Sequence, residues 1–296
     1  MPTARLPLSH ALLALAIVAV WGTNFVVIRY GLNHLPPLLF AALRFAFAVV
    51  PAIFFLPRPA VPWRSLAAYG LLIGVGQFGL LYLAMNGLIS PGMASLIIQT
   101  QVFFTIGLSV VLTGERPSLA HLCALVVAAS GVLLIALHVD PAATPLGIGM
   151  VLAAGLSWAG GNIVAKVARP ASILAFVVWA SLFSAAPLFG LSIAVEGWPA
   201  IAAGLRAADL GTWAAVLWQA YGNVLFGFGA WGWLLARHPA ATIAPTALLV
   251  PVFGMGASAV LLGEPMPLWK LAAAALVIGG LAIGVLWPAR RPQPAS

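Results

Sequence analysis

Charged residues are scarce in this sequence, and acidic residues are the scarcest of them. Only 6% of the 296 residues are Asp, Glu, Lys or Arg, and five of them are acidic. Soluble globular domains carry about a quarter charged residues. Together with 63% hydrophobic residues and a mean hydropathy of +1.11, this scarcity excludes a soluble globular protein and indicates an integral membrane protein.

Several other features are also missing. A single cysteine, Cys123, excludes an intrachain disulfide and a cysteine-based metal site, and its apolar surroundings indicate a packing role. The net charge of +8 comes from basic residues dotted between apolar blocks, which argues against nucleic-acid binding. The sequence contains neither a Walker-type phosphate loop nor a constellation of catalytic or metal-binding residues. We therefore expect no ATP motor, no enzyme and no cofactor.

The apolar residues are gathered in blocks of roughly 20, the length at which a helix crosses about 30 Å of hydrocarbon. Prolines and charges punctuate these blocks. The pattern predicts an all-α integral membrane protein with ten transmembrane helices, and it leaves 196–209 as a long loop. The predicted spans are 10–31, 38–56, 66–89, 92–112, 118–138, 146–166, 172–195, 210–235, 240–262 and 267–287.

The basic residues predict the orientation of these spans, because cytoplasmic loops are enriched in Lys and Arg. With the N-terminus inside, nine basic residues fall on the cytoplasmic side and three on the other side, so both termini are predicted to be cytoplasmic. The inside set is Arg5, Arg58, Arg64, Arg116, Lys166, Arg169, Arg237, Arg290 and Arg291, and the outside set is Arg29, Arg206 and Lys270.

Two pairs of similar segments indicate an internal repeat. "LTGERPSLAHL" (112–122) aligns with "LLGEPMPLWKL" (261–271), and "VWGTNFVVIR" (20–29) aligns with "SWAGGNIVAK" (157–166). The chain therefore reads as two five-helix repeats, 1–140 and 141–296. Because five is odd, the second repeat enters the membrane inverted. Inverted repeats are typical of secondary transporters, whose substrate site lies near the midplane where the repeats meet.

Further motifs resemble the drug/metabolite transporter superfamily, in its EamA-like branch. They are "WGTNF", "ALRF" (42–45), "GMASLIIQTQVFFTIGLSVVLTGERPS" (92–118) and "HPAATIAPTALLVPVFGMGASAVLLGEPM" (238–266). The resemblance, strongest to the YddG-type aromatic amino acid exporters, implies a multi-pass protein of the bacterial inner membrane that exports small neutral or zwitterionic metabolites, above all aromatic or apolar amino acids. A nucleoside or multidrug exporter is the alternative, and the protein is expected to be a monomer or a homodimer.

Polar and aromatic side chains inside spans are the candidate substrate contacts, because burying them is costly unless they pair or face a cavity. Carboxamides suit both ends of a zwitterion, and indoles supply apolar walls. The alternative for each Asn is a hydrogen bond between helices. The candidates are Trp21, Asn24, Tyr82, Gln99, Gln101, Trp158, Asn162, Gln219, Asn223 and Trp231.

Three further residues have two interpretations each. Pro245 and Pro251 lie inside the ninth span, where they free backbone carbonyls and act either as a hinge or as simple curvature. Arg44 is the one cation well inside a span. Snorkelling or capping of backbone carbonyls is favoured over binding a substrate carboxylate. All five acidic residues fall at predicted span ends or in loops, so we expect gradient-driven transport without a buried carboxylate as proton relay.

Overall fold

The computed structural model describes residues 7–113, 119–138, 143–238 and 240–286. Within these ranges the secondary structure is helical, apart from one antiparallel bridge between Ile89 and Ala143. The helices of the first half are α1 (Leu8–Gly31), α2 (Pro37–Val49), α3 (Trp63–Gly70), α4 (Leu80–Met85), α5 (Pro91–Ile97), α6 (Gln101–Thr113) and α7 (Leu119–Leu137).

The described residues of the second half are also helical. Its helices are α8 (Pro145–Ala168), α9 (Ile173–Leu191), α10 (Trp198–Ala207), α11 (Leu210–Leu217), α12 (Gly227–Leu235), α13 (Ala240–Ile243), α14 (Val250–Leu262) and α15 (Leu268–Leu286). Six helical stretches are long and apolar enough to cross a membrane, and a bent pair over 198–235 makes a seventh. Three shorter apolar helices lie in the remaining predicted spans, so the count of ten spans stays a prediction.

Two details of the sequence interpretation were wrong. The segment predicted as a loop contains α10, whose Gly204 lies against the backbone of the α1–α2 connection: a Cβ there would be 2.8 Å from the His34 carbonyl oxygen. Ten residues are too short for a span, which is why the helix escaped the hydropathy pattern. Cys123 is exposed on α7 instead of packed inside the protein.

Several helices begin at a polar cap followed by proline. Ser90 caps α5 and Thr144 caps α8, and each hydroxyl accepts a hydrogen bond from a backbone N–H three residues later. Pro91 and Pro145 follow in the first turn, where proline sacrifices no intrahelical hydrogen bond. These caps fix where the chain re-enters the bundle.

The two halves share irregular turns at equivalent places. A π-helical segment, 71–79, separates α3 from α4, and another, 218–226, separates α11 from α12. Short 3-10 segments break the span of α5 and α6 at 98–100 and the span of α13 and α14 at 244–249. Such turns interrupt the regular ladder and occur often at functional sites.

The prolines of the ninth predicted span lie at the beginnings of its segments. Pro245 falls at the start of the 3-10 segment and Pro251 in the first turn of α14. The span is therefore three consecutive short helices, and the prolines lie where the backbone changes its hydrogen-bonding pattern. This arrangement corrects the expectation of one helix with two internal prolines, and the hinge role stays a proposal.

Helices of the two halves pack against each other in antiparallel pairs. In the pair of α7 and α15, Gly131 lies near the Ala273 backbone and Gly280 near the Ala124 backbone. In the pair of α2 and α9, the Trp179 indole donates to the Leu56 carbonyl oxygen at 3.1 Å. At the other end of this pair Glu196 accepts from the backbone N–H groups that begin α2.

Helices from different halves also pack together in two more groups. α1 packs along α11 and α12, with His10 hydrogen-bonded to His238 at one end and Tyr30 close to Gly211 at the other. α8 packs along α3 and α4, and the Ser157 hydroxyl donates to the Leu72 carbonyl oxygen at 2.9 Å. The core is thus built largely from contacts between residues of different halves.

Candidate functional site

The guanidinium of Arg44 lies at the centre of a buried polar cluster. Arg44 sits about two turns after the start of α2, and its side chain is 1% exposed. Its charge faces the ring of Phe78, whose centroid is 3.7 Å from the guanidinium carbon. Such a cation–π contact stabilises a desolvated cation. It does not neutralise the charge.

Three uncharged side chains complete this Arg44 cluster. The guanidinium donates to Gln219 Oε1 at 2.5 Å, to Asn223 Oδ1 at 2.8 Å and to the Tyr82 hydroxyl at 3.4 Å. The Tyr82 hydroxyl donates to the same Gln219 oxygen at 3.0 Å. Gln219 and Asn223 both belong to the π-helical segment between α11 and α12, so this irregular turn places both amides beside one cation.

Two candidate indoles lie next to the Arg44 cluster. The Trp21 indole N–H donates to the Asn223 carbonyl oxygen at 3.2 Å, and its ring lies 5.2 Å from that of Trp231. Phe228 adds a third ring at 5.6 Å from Trp21. The residues of the cluster are fully buried while Trp21 and Trp231 are half-buried. The indoles therefore border the cluster on its less buried side.

A second polar contact joins α8 to α6. The Asn162 amide donates to Gln101 Oε1 at 2.9 Å and to the Thr105 hydroxyl at 3.2 Å. Gln101, Thr105 and Ser109 recur every four residues, so they form one stripe along α6 facing α8. The four-residue spacing of this stripe is visible in the sequence. It could have identified Thr105 as a further polar residue of the site.

The remaining candidates lie apart from these contacts. Gln99 is buried in the 3-10 turn before α6, and Asn24 is buried in α1 with no hydrogen-bond partner for its side-chain oxygen. Trp158 is half-buried and packs on the hydrophobic core. The structure therefore gathers Tyr82, Gln219, Asn223, Trp21 and Trp231 around Arg44, and it pairs Gln101 with Asn162.

Glu264 organises one end of the bundle. Gly263 adopts a left-handed conformation (φ 65°) that ends α14 and turns the chain back, which is the reason for a glycine at this position. The Glu264 carboxylate then accepts from Ser90 Oγ at 2.5 Å, from the Gly92 N–H at 3.0 Å and from Lys270 Nζ at 2.8 Å. We call this group the Glu264 latch. The corresponding Glu115 lies outside the described residues.

A cavity of about 740 Å³ opens beside the Glu264 latch. It is lined by the ends of α1, α4 and α14 and by the start of α5, with Arg29, Tyr30 and Asn33 as its polar residues besides the latch. It occupies the same end of the bundle as Glu196 and the beginning of α2. The cavity is thus bordered by side chains of both charge signs, Arg29 and Glu264.

The sequence interpretation of Arg44 was wrong. Arg44 neither reaches the interface nor caps backbone carbonyls, because its hydrogen bonds go to three side chains on two other helical segments. Lys270, which was counted as an external topology charge, has a side chain that is 3% exposed and forms an ion pair with Glu264. The partners of Arg44 lie far away in the chain, where hydropathy cannot identify them, whereas Glu264 is six positions from Lys270.

The protein is a helical membrane bundle with buried polar sites between its two halves. This is the arrangement of a membrane transporter. The model of the EamA-like transporter family matches residues 8–137 and again residues 145–286. The chain belongs to this family. The resemblance drawn from the motifs is thereby confirmed, and the protein is a transporter, not an enzyme.

Two curated relatives match almost the whole chain. A probable amino-acid metabolite efflux pump of Salmonella typhimurium (strain LT2) is 42% identical over 281 residues, which is 92% of this chain and 93% of that protein. A protein of the same description from Escherichia coli (strain K12) is 40% identical with the same coverage. A solved crystal structure, 20% identical, covers 97% of this chain and 99% of its own with a TM-score of 0.65, which supports the fold alone.

Proposed function

We propose that this transporter exports small zwitterionic metabolites, above all aromatic or apolar amino acids, across the bacterial inner membrane. The observation that carries the proposal is the Arg44 cluster: a buried cation surrounded by amide and phenol groups and bordered by two indoles. Hydrogen-bonding groups of both kinds suit a zwitterion, and aromatic walls suit an apolar side chain. The descriptions of the two similar efflux pumps point to the same solute class.

The export mechanism that we propose is alternating access between two inverted halves. It is supported by the antiparallel pairing of helices from different halves and by the irregular turns at equivalent positions. Segmented spans bend at their breaks more easily than continuous helices do. The 3-10 segments with Gln99 and Pro245, and the start of α14 at Pro251, are the proposed hinges.

The proposed orientation has both termini on the cytoplasmic side, and the distribution of basic residues supports it. The Glu264 latch then faces the outside, and the contact of Asn162 with Gln101 lies toward the cytoplasm. The solute would pass from the second of these regions to the first. Trp21, Asn24, Trp158 and the Arg44 cluster lie along the proposed path.

Transport by the purified protein in liposomes tests this proposal. Four labelled solutes, tryptophan, threonine, uridine and a lipophilic cation, are offered in separate uptake assays. We expect saturable uptake of tryptophan, weaker uptake of threonine and background uptake of uridine and the cation, with empty liposomes as the control. Uptake of the cation alone would overturn the assignment, and uptake of uridine alone would favour a nucleoside exporter.

The same liposomes test the driving force. Because the described acidic residues lie at helix ends, we expect tryptophan to equilibrate along its own gradient with equal internal and external pH. Imposing a pH gradient should change the initial rate only modestly. A strict requirement for the gradient would contradict facilitated export.

A further inference from the structure

The Arg44 cluster contains two hydrogen-bond donors without acceptors. Arg44 Nε and Gln219 Nε2 are both buried and have no hydrogen-bond partner. The two groups are adjacent, because Gln219 Oε1 accepts from the same guanidinium at 2.5 Å. An unpaired buried donor costs free energy, so two of them in one cluster, beside a cation, indicate that an acceptor is missing from this conformation.

The cluster also lacks a counter-charge among the described residues. The acidic residues in these ranges are Glu196, Asp209 and Glu264, and each is engaged elsewhere: Glu196 caps α2, Asp209 caps α11 and Glu264 forms the latch. The oxygen acceptors around Arg44 are neutral. A buried guanidinium without an anionic partner is costly, and the cluster is therefore preorganised to receive an anion.

The helix that pairs with α2 in the other half has no matching charge. The antiparallel partner of α2, α9, carries no acidic or basic residue along its length. Its polar groups facing the bundle are serines, and Ser184 donates to the Gly70 carbonyl oxygen at 2.8 Å. The positive charge of Arg44 therefore has no counterpart on the helix that pairs with α2. A purely structural contact between the two halves would not require such a charge.

We infer that Arg44 and Gln219 bind the carboxylate group of the transported solute, with Arg44 Nε and Gln219 Nε2 donating to its oxygens. A planar carboxylate matches the fork geometry of a guanidinium. Trp21, which donates to the Asn223 backbone beside the cluster, and the neighbouring Trp231 would hold its apolar part. This inference rests on the proposed function, and it specifies which end of the zwitterion is recognised and by which residues.

The decisive variant is Gln219→Glu. It keeps the shape of the side chain and places a resident carboxylate beside Arg44, so the cluster stays filled and the protein folds. We expect KM for tryptophan and for indole-3-propionate, which keeps the carboxylate without the amine, to rise by about ten- to a hundredfold, as for a lost hydrogen bond to a charged group. Tryptamine, which lacks the carboxylate, should be transported as well as or better than by the wild type.

Two controls separate this effect from general damage. Asn86→Asp makes the same change from amide to carboxylate at an exposed residue at the end of α4, outside the proposed site, and should leave the ratio of tryptophan to tryptamine uptake near that of the wild type. Arg44→Lys keeps the charge but loses the fork, and should also raise KM for the carboxylates. An unchanged KM for tryptophan in Gln219→Glu would overturn the inference.

The alternative occupant of the Arg44 cluster is a small inorganic anion such as chloride. Repeating the assays with chloride replaced by methanesulfonate distinguishes the two. If chloride occupies the cluster permanently, tryptamine uptake by the wild type will depend on chloride and tryptophan uptake will be insensitive to Gln219→Glu, which contradicts our assignment. Wild-type protein that transports no carboxylate solute would instead refute the proposed function itself, so the two failures are distinguishable.

Discussion

Replacing Glu264 with alanine is expected to lower the free energy of unfolding by about 3–5 kcal/mol, the cost of removing one partner of a buried ion pair. The variant leaves the Lys270 ammonium, which is 3% exposed, without its counter-ion. It also leaves Ser90 Oγ and the Gly92 N–H without their acceptor. Unfolding in mixed micelles with increasing denaturing detergent, followed by tryptophan fluorescence, measures the loss.

A double variant provides the matched control. Glu264→Leu combined with Lys270→Met replaces the ion pair with apolar side chains of similar size, and such replacements are often neutral or stabilising. We therefore expect the double variant to be clearly more stable than Glu264→Ala. If the single alanine variant unfolds like the wild type, the Glu264 latch does not hold this end of the bundle together.

Replacing Gly22 with alanine is expected to destabilise the protein by about 1–3 kcal/mol, as overpacking does in a close-packed core, and to abolish most transport. A Cβ at this position would lie 2.5 Å from Phe253 Cβ and 2.6 Å from the Val250 carbonyl oxygen. Since the second contact is with backbone, α1 and α14 must move apart to admit it. Uptake of labelled tryptophan and detergent unfolding together measure the effect.

Gly256 offers the control for this variant. It lies in α14 itself, and a Cβ there would meet no atom within 4 Å. Gly256→Ala should be neutral, or stabilising by up to about 1 kcal/mol because alanine favours helix. Equal behaviour of the two variants would mean that contact between α1 and α14 does not limit function.

Much of the fold follows from the sequence because hydropathy and proline positions report directly on where helices begin and end. The predicted spans agree with the described helices to within a few residues at most ends, and Pro251 lies in the first turn of α14, as its rigid φ favours. The repeat was visible because the Gly-Glu turn needs a left-handed glycine, and Gly263 has that conformation. Each of these local requirements depends on a single residue, so the sequence shows it directly.

The site is less predictable, because its contacts join residues far apart in the chain. Arg44 and Gln219 are 175 positions apart, and Arg44 and Asn223 are 179 apart. Sequence periodicity indicates which face of a helix is polar, but it does not say which helix lies opposite. The π-helical turn that puts Gln219 and Asn223 beside Arg44 has no sequence signature comparable to a cap or a proline, so Arg44 was assigned the wrong surroundings.

We propose that two inverted halves enclose a polar path that contains the Arg44 cluster, and the inverted topology is the part of this proposal that can be tested most directly. Single cysteines at Arg116 and at Pro267, introduced after Cys123→Ser, test it through labelling of intact cells with a membrane-impermeant maleimide. The account predicts labelling at position 267 in intact cells and at position 116 after permeabilisation alone. Labelling of both positions from the same side of the membrane would contradict it.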